Sequence, residues 1–282
     1  MMETMIDPLL DLTAETRTRL QTFPEGGRLQ LLGCVEGACL LRDGSGLHHR
    51  LAAQVAPPAG PWDLSPLIDH TLLKAEATGA QVEVLCAEAL KHGFASVCIN
   101  PLWVPLAASL LKGSAVRTCT VVGFPLGASS LRAKAQEADL AVMEGAQEVD
   151  MVLAIGAAKA GDWDTVRRDL EGLRAAVPAP TVLKVILETC LLTDAEKAQA
   201  SALALEAGLD FVKTSTGFST GGATEADVAL MRQTVGTGMG VKASGGIRTY
   251  EGALAMVLAG ATRLGLSASV AVIQGGAGSG TY

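Results

Sequence analysis

From residue 62 onward, the chain alternates short apolar runs with longer segments whose apolar positions recur every three or four residues. The runs SPLIDHTLL, FASVCIN, VRTCTVVGFP, EVDMVL, TVLKVILE, LDFVKTST, MGVKASG and TRLGLS read as eight strands. Between them lie Ala- and Leu-rich stretches such as GAQVEVLCAEALKHG, SSLRAKAQEADLAVMEGA and DTVRRDLEGLRAAV. In DAEKAQASALALEAG, Ala195, Ala198, Ala202 and Leu205 keep helical spacing, and Gly208 supplies the stop. Eight strand–helix repeats in roughly 210 residues predict an α/β fold of the TIM (β/α)8 barrel type. A doubly wound sheet normally has fewer strands and a nucleotide-binding turn. No Gly-x-Gly-x-x-Gly or P-loop follows an early strand here, which favours the barrel.

The stretch VAPPAGP breaks both helix and strand and separates these repeats from what precedes them. We therefore divide the chain into an N-terminal appendage (1–56), a linker (57–61), the barrel (62–274) and a Gly-rich tail (275–282). In the appendage, Asp7-Pro8 can start a short helix, and RLQLLGCV, ACLLR and LHHRLAAQV read as three short strands. A segment this small holds little core by itself, so it is expected to pack on the barrel or on a second subunit.

Composition narrows the function. Of 282 residues, 49 % are hydrophobic and only 4 % aromatic, which suits aliphatic strands covered by Ala-rich helices. The net charge of −7 and the lack of a Lys/Arg block argue against nucleic acid or an anionic membrane as partner. The first residues lack the basic-then-apolar order of a signal peptide, and no apolar stretch is long enough to span a bilayer. The six cysteines include no Cys-x-x-Cys, and the four histidines have no metal-ligand spacing. The expectation is a cytoplasmic protein with reduced thiols, no metal and no cofactor.

Within this frame two lysines stand out. In DFVKTSTGFSTGG, Lys213 ends a short apolar run, and in MGVKASGGIR, Lys242 repeats the arrangement. Lysine is depleted from strands and rarely buried unless paired or used. A barrel places its site at the C-terminal ends of the strands. Asp69, Asn100, Asp150, Lys184, Glu188, Lys213 and Lys242 all fall there. Any one of these could be a structural ion pair, and pairing with Asp150 would explain Lys184 that way. Three lysines with carboxylates at one mouth make a site the better reading. An ordinary lysine, with a pKa of about 10.4, is almost wholly charged at neutral pH. Bringing that value to about 7 requires disfavouring the ammonium by roughly 4–5 kcal/mol, through desolvation and a neighbouring cation. Lys242, on the adjacent strand, would supply that charge to Lys213, and Asp150 would move protons. Such a set suits imine and enamine chemistry.

The loops after the last two strands add an anion site. ASGGIR places Gly245 and Gly246 ahead of a helix, and GLSAS offers Gly265 and Ser267 in a similar setting. Loops at these positions recurrently hold phosphate, because aligned N–H groups and the helix dipole favour negative charge. The alternative, glycines that only form tight turns, stands beside this. A non-catalytic sugar-phosphate-binding protein would need the glycine loops alone, and another Schiff-base aldolase or a transaldolase would keep the lysine with a different donor.

Taken together and in order, IDHTLL, VVGFPLG, EVDMV, LKVILET, DFVKTSTGFSTGGAT and VKASGGIR resemble the 2-deoxyribose-5-phosphate aldolase family, from about residue 67 to 270. The resemblance implies a class I aldolase that reversibly cleaves 2-deoxy-D-ribose 5-phosphate to acetaldehyde and D-glyceraldehyde 3-phosphate. It implies that Lys213 forms the Schiff base, Lys242 perturbs it, Asp150 transfers protons and Lys184 orients Asp150. It places Gly245, Gly246 and Ser267 on the phosphate, and makes Cys98 a site-proximal cysteine that we read as packing. The partners are then small sugar phosphates and aldehydes, and a homo-oligomer, a dimer foremost, is the expected assembly. The chain departs from the family where it reads Ser267-Ala268-Ser269 instead of two consecutive serines, which removes one expected side-chain contact to phosphate. Some family members end in a tyrosine that reaches the site, which makes Tyr282 a candidate; the alternative is a disordered tail.

Overall fold

The computed structural model describes residues 63–276 and 278, together with three strands nearer the N-terminus. Those strands, Gln30–Val35, Ala38–Arg42 and His48–Leu51, pair antiparallel in sequence order. The helix start at Asp7-Pro8, the linker 57–61 and Tyr282 lie outside the described residues. The chain divides into two compact units, 1–64 and 65–282.

The second unit is a closed barrel of eight parallel strands. They are β1 (Ile68–Leu72), β2 (Ser96–Ile99), β3 (Arg117–Val122) and β4 (Glu148–Val152). Then follow β5 (Val182–Ile186), β6 (Phe211–Lys213), β7 (Gly240–Ser244) and β8 (Arg263–Leu266). Neighbours in sequence are neighbours in space, and β8 pairs with β1 to close the ring. The intervening helices are α1 (Gly79–His92), α2 (Val104–Leu110), α3 (Leu131–Met143), α4 (Ile155–Lys159) and α5 (Trp163–Ala176). They continue with α6 (Asp194–Glu206), α7 (Glu225–Val235), α8 (Tyr250–Ala259) and α9 (Ser269–Ile273). The short α4 has no counterpart in the sequence reading, because IGAAK is too brief to show a helical period.

Local chemistry fixes the helix ends. Thr78 and Gln81 form a capping box on α1, and Gly93 ends that helix in the left-handed region at φ 65°. Thr193 and Glu196 form a second capping box on α6, while Ser130, Asp162, Thr224 and Thr249 cap α3, α5, α7 and α8. The aliphatic core is a ring between strands and helices. Val97, Ile99, Val149, Met151, Leu183, Val185, Val212 and Val241 face it from the strands; Val82, Leu85, Leu170, Leu173, Leu203 and Met231 meet them from the helices. Each such side chain contributes about 1.5–3 kcal/mol through burial.

Inside the ring the strands carry polar and charged side chains. Alternation along the strands turns Asp69, Ser96, Cys98, Cys119, Glu148, Asp150, Lys184, Lys213, Lys242 and Ser244 to the interior, all of them buried. On that face ion pairs stand beside the apolar contacts of Cys98, Cys119 and Val121. At its lower end Phe211 lies against Gly240, where any side chain would overlap the ring. Gly240 is thus small because the facing strand carries the aromatic.

Candidate active site

The interior charges segregate by strand. The carboxylates of the buried network come from β1 and β4 (Asp69, Glu148, Asp150) and its buried cations from β5 to β8 (Lys184, Lys213, Lys242, Arg263), so these pairs join the two halves of the barrel, while half-exposed Arg117 on β3 reaches Glu148 at 3.5 Å within the first half. Asp150 is the hub. Its Oδ1 accepts from Lys184 Nζ at 2.7 Å and from Cys119 Sγ at 3.3 Å, and its Oδ2 from Lys213 Nζ at 2.8 Å and Lys242 Nζ at 2.7 Å. Burial alone would raise its pKa, but Lys184, Lys213 and Lys242 outweigh burial and hold it well below the usual carboxylate range. Asp150 is therefore held as an anion, with both oxygens occupied by ammonium groups and the Cys119 thiol.

The three lysines are not equivalent. Lys184 contacts Glu148 at 2.6 Å, Asp150 at 2.7 Å and Asp69 at 3.7 Å, and Lys242 contacts Asp69 at 2.5 Å as well as Asp150. Burial disfavours both ammonium groups, yet the carboxylates, led by Asp150, push both pKa values above the normal lysine range. Lys242 is consequently held as a cation. Lys213 has one carboxylate partner, ends its strand, and is 3 % exposed where Lys184 and Lys242 are 0 % exposed. It is the lysine with the fewest carboxylate partners and stands at the end of its strand. Leu73, Cys98, Cys119 and Val121 pack with Phe124 into an apolar wall beside the hub, and Phe124 meets Phe218 edge to face at 5.2 Å.

A family model of DeoC/LacD family aldolases matches residues 65–278. The chain belongs to this family. Curated relatives named deoxyribose-phosphate aldolase include one from Clostridium perfringens strain SM101, 57 % identical over 219 residues, which cover 78 % of this chain and 98 % of that one. Another, from Geobacillus sp. strain WCH70, is 54 % identical over 220 residues, covering 78 % and 99 %. Among solved structures, a putative deoxyribose-phosphate aldolase from Coccidioides immitis aligns with a TM-score of 0.73 at 43 % identity, over 75 % of this chain and 85 % of that one. A deoxyribose phosphate aldolase from Aeropyrum pernix, described as tetrameric, aligns at 0.70 and 36 % identity, over 75 % and 89 %.

In this DeoC/LacD chain the residues singled out in the sequence fall into three groups. Asp69, Asp150, Lys184, Lys213 and Lys242 form one network. Asn100 does not join it: its amide donates to the carbonyls of Leu73 and Lys74 and braces the loop after β1. Glu188 also stands apart. It is the only non-glycine residue at positive φ (58°) among the described residues, and its carboxylate binds the Thr216 hydroxyl and backbone N–H. His70 turns outward to Glu88 and Ser269, each at 2.8 Å. Ser269, buried, bonds His70 and the Leu266 carbonyl through its hydroxyl. Gly245 and Gly246 both adopt left-handed conformations, φ 87° and 78°. At Gly245 a Cβ would lie 3.0 Å from Gly222 Cα, whereas the same side of Gly246 is open. Two groups have donors within metal-ligand reach of one another: Cys98, Cys119 and Asp150, and Asp69, Cys119 and Glu148. Their carboxylates already carry lysine and arginine.

Sequence reasoning missed Glu148 and Arg263. Arg263 Nη1 donates to Asp69 Oδ1 at 2.5 Å and to Glu148 Oε2 at 3.1 Å, and Phe211 lies 5.3 Å from its guanidinium. The period of two was the available signal: Glu148 lies two residues before Asp150 on the same inward face.

Proposed function

We infer that the chain is a deoxyribose-phosphate aldolase that cleaves 2-deoxy-D-ribose 5-phosphate reversibly through a lysine Schiff base, with Lys213 as the nucleophile. The observation that carries the assignment is the inequality of the lysines: among the three, Lys213 alone has a single carboxylate contact and stands at the end of its strand. Its Nζ attacks the open-chain aldehyde carbon, and loss of water leaves a protonated imine. The C3 hydroxyl then yields its proton, through water, to anionic Asp150; the C2–C3 bond breaks, its electrons move into the imine, and D-glyceraldehyde 3-phosphate departs. The enamine left on Lys213 takes a proton at its terminal carbon, and water releases acetaldehyde and restores the amine. Lys242 keeps its charge throughout, and Lys184 anchors Asp150 Oδ1. The wall of Leu73, Cys98, Val121 and Phe124 suits the short carbon chain of acetaldehyde. Gly245, Gly246 and Ser267 are assigned to the phosphate, with the open side of Gly246 as the point of approach. Tyr282 is retained as a candidate for proton transfer to the enamine, and the appendage (1–56), separated by the linker 57–61 from the barrel (62–274) and tail (275–282), as the element that favours a dimer.

The test is borohydride reduction in the presence of acetaldehyde, followed by peptide mass mapping. An ethyl adduct confined to Lys213 is expected. An adduct on Lys242 would exchange the two roles, and no selective adduct would remove the Schiff-base assignment.

A further inference from the structure

Glu148 and Arg263 are deep in the barrel, with Glu148 0 % exposed, and neither has a part in the chemistry above. They are nevertheless tied to every charge that has one. Glu148 holds Lys184 at 2.6 Å, and Arg263 holds Asp69, which in turn holds Lys242 at 2.5 Å. The buried ionic set therefore contains four cations (Lys184, Lys213, Lys242, Arg263) and three carboxylates (Asp69, Glu148, Asp150). Loss of one ammonium proton brings it to three against three. Lys184 has three carboxylate contacts, Lys242 two and Lys213 one, so Lys213 is the least compensated of the three lysines.

Resting on the reading of Lys213 as the nucleophile, we propose that Glu148 and Arg263 are positioning residues. Together they set the charge balance of the barrel interior, and thereby the pH at which Lys213 becomes nucleophilic. The other groups around Lys213 are accounted for. Lys242, Lys184 and Asp150 come from β7, β5 and β4, Asp69 from β1, and the thiols of Cys98 and Cys119 from β2 and β3. Glu188, from the end of β5, is engaged by Thr216, and Arg117 on β3 is half exposed, 3.5 Å from Glu148.

The signs follow from the count. Glu148→Gln raises the excess of positive charge, so Lys213 gives up its proton more readily and the acid limb of imine formation moves to lower pH. Arg263→Gln removes the excess, and the limb moves to higher pH. Each shift is about one pH unit, the size expected for one unit charge one strand-layer away at an effective dielectric constant of about 20. The double variant E148Q/R263Q restores the original count and returns the limb to within about half a unit of the parent, and Arg263→Lys, which keeps the charge, leaves it in place.

The measurement is the initial rate of borohydride-trapped ethylation of Lys213 against pH, with acetaldehyde as probe, on full-length protein verified as folded by circular dichroism. Opposite shifts for the single variants support the proposal. Shifts of the same sign, absence of shifts, or an R263K limb displaced as far as that of R263Q would overturn it. If neither single variant folds, the double variant decides: a folded E148Q/R263Q with the parent limb shows that the two charges compensate each other, and a double variant that fails to fold or shifts its limb refutes the balance. A parent protein without an adduct on Lys213 removes the Schiff-base reading itself. A parent adduct whose pH dependence the variants leave untouched removes only this inference.

Discussion

Replacing Asp150 by asparagine keeps the shape of the hub and deletes its charge. In the parent, one carboxylate meets three ammonium groups at 2.7, 2.8 and 2.7 Å. At an effective dielectric constant of about 20, one such contact amounts to about 6 kcal/mol of gross attraction, much of it offset by desolvation of the buried ions. Removing one partner of a buried pair costs about 3–5 kcal/mol, because the remaining charge is left uncompensated. We expect D150N to lose stability of that size in urea unfolding at pH 7, within the ~5–15 kcal/mol of a typical domain, so the protein still folds. The lysines are also released from the anion that favours their protonated forms. Imine trapping on Lys213 should therefore persist at neutral pH, while turnover, which needs a base for the C3 hydroxyl, falls by about 10²- to 10⁴-fold. Steady-state cleavage coupled to reduction of the triose phosphate product, alongside borohydride trapping, separates the two steps. Turnover within tenfold of the parent would refute the proton-transfer role; loss of trapping in a folded protein would show that Asp150 instead holds the nucleophile in place.

Three further outcomes follow from the same geometry. Asp150 and Asp69 are both depressed in the folded state, so their stabilising contribution is complete above the unfolded carboxylate value of about 3.9 and is lost as pH falls through the folded values. The stability gap between the parent and D150N should accordingly narrow below about pH 4 in urea titrations. Lys134→Met should cost about 3–5 kcal/mol at pH 7, because Lys134 is fully buried with its Nζ 2.5 Å from Asp169 and 3.0 Å from the Val152 carbonyl. Burial already pushes Asp169 upward, so that loss should shrink as the pH falls and the carboxyl protonates, and a constant loss would count against the ion pair. Gly240→Ala should lower stability by about 1–3 kcal/mol, since the new methyl would overlap the Phe211 ring, and an unchanged thermal midpoint would contradict the packing.

Much of this barrel was legible because its two periods are clean. Apolar runs such as VRTCTVVGFP alternate with capped helices, and a lysine closing a strand as short as Phe211–Lys213 is conspicuous. Asp150, Lys184 and Lys242 were legible for the same reason, as charges in strands. They lie within their strands, however, and not at the strand ends where a mouth was expected. Arg263 was not legible, because a charge opening a strand after Ala-Thr looks like an ordinary solvated boundary. Asn100 and Glu188 were legible as polar residues at strand ends, but sequence position does not specify which neighbour a side chain bonds. The contacts decide that: Asn100 bonds backbone carbonyls and Glu188 a threonine. The appendage strands are visible in both the sequence and the backbone pairing, and neither assigns them chemistry.

The segregation of the network's buried carboxylates onto β1 and β4 and its buried cations onto β5–β8, with half-exposed Arg117 on β3 outside that pattern, also bears on how the ring can be assembled. A chain cut between α5 and β5 would yield two fragments with oppositely charged concave faces. Two copies of the first would confront acid with acid and two copies of the second base with base, so self-association of either is opposed by repulsion in a water-poor interior. Each fragment is complementary only to the other. The ion pairs that build the catalytic hub thus act as a lock on half-barrel pairing, and enzymatic activity on mixing the fragments would report correct closure of the ring.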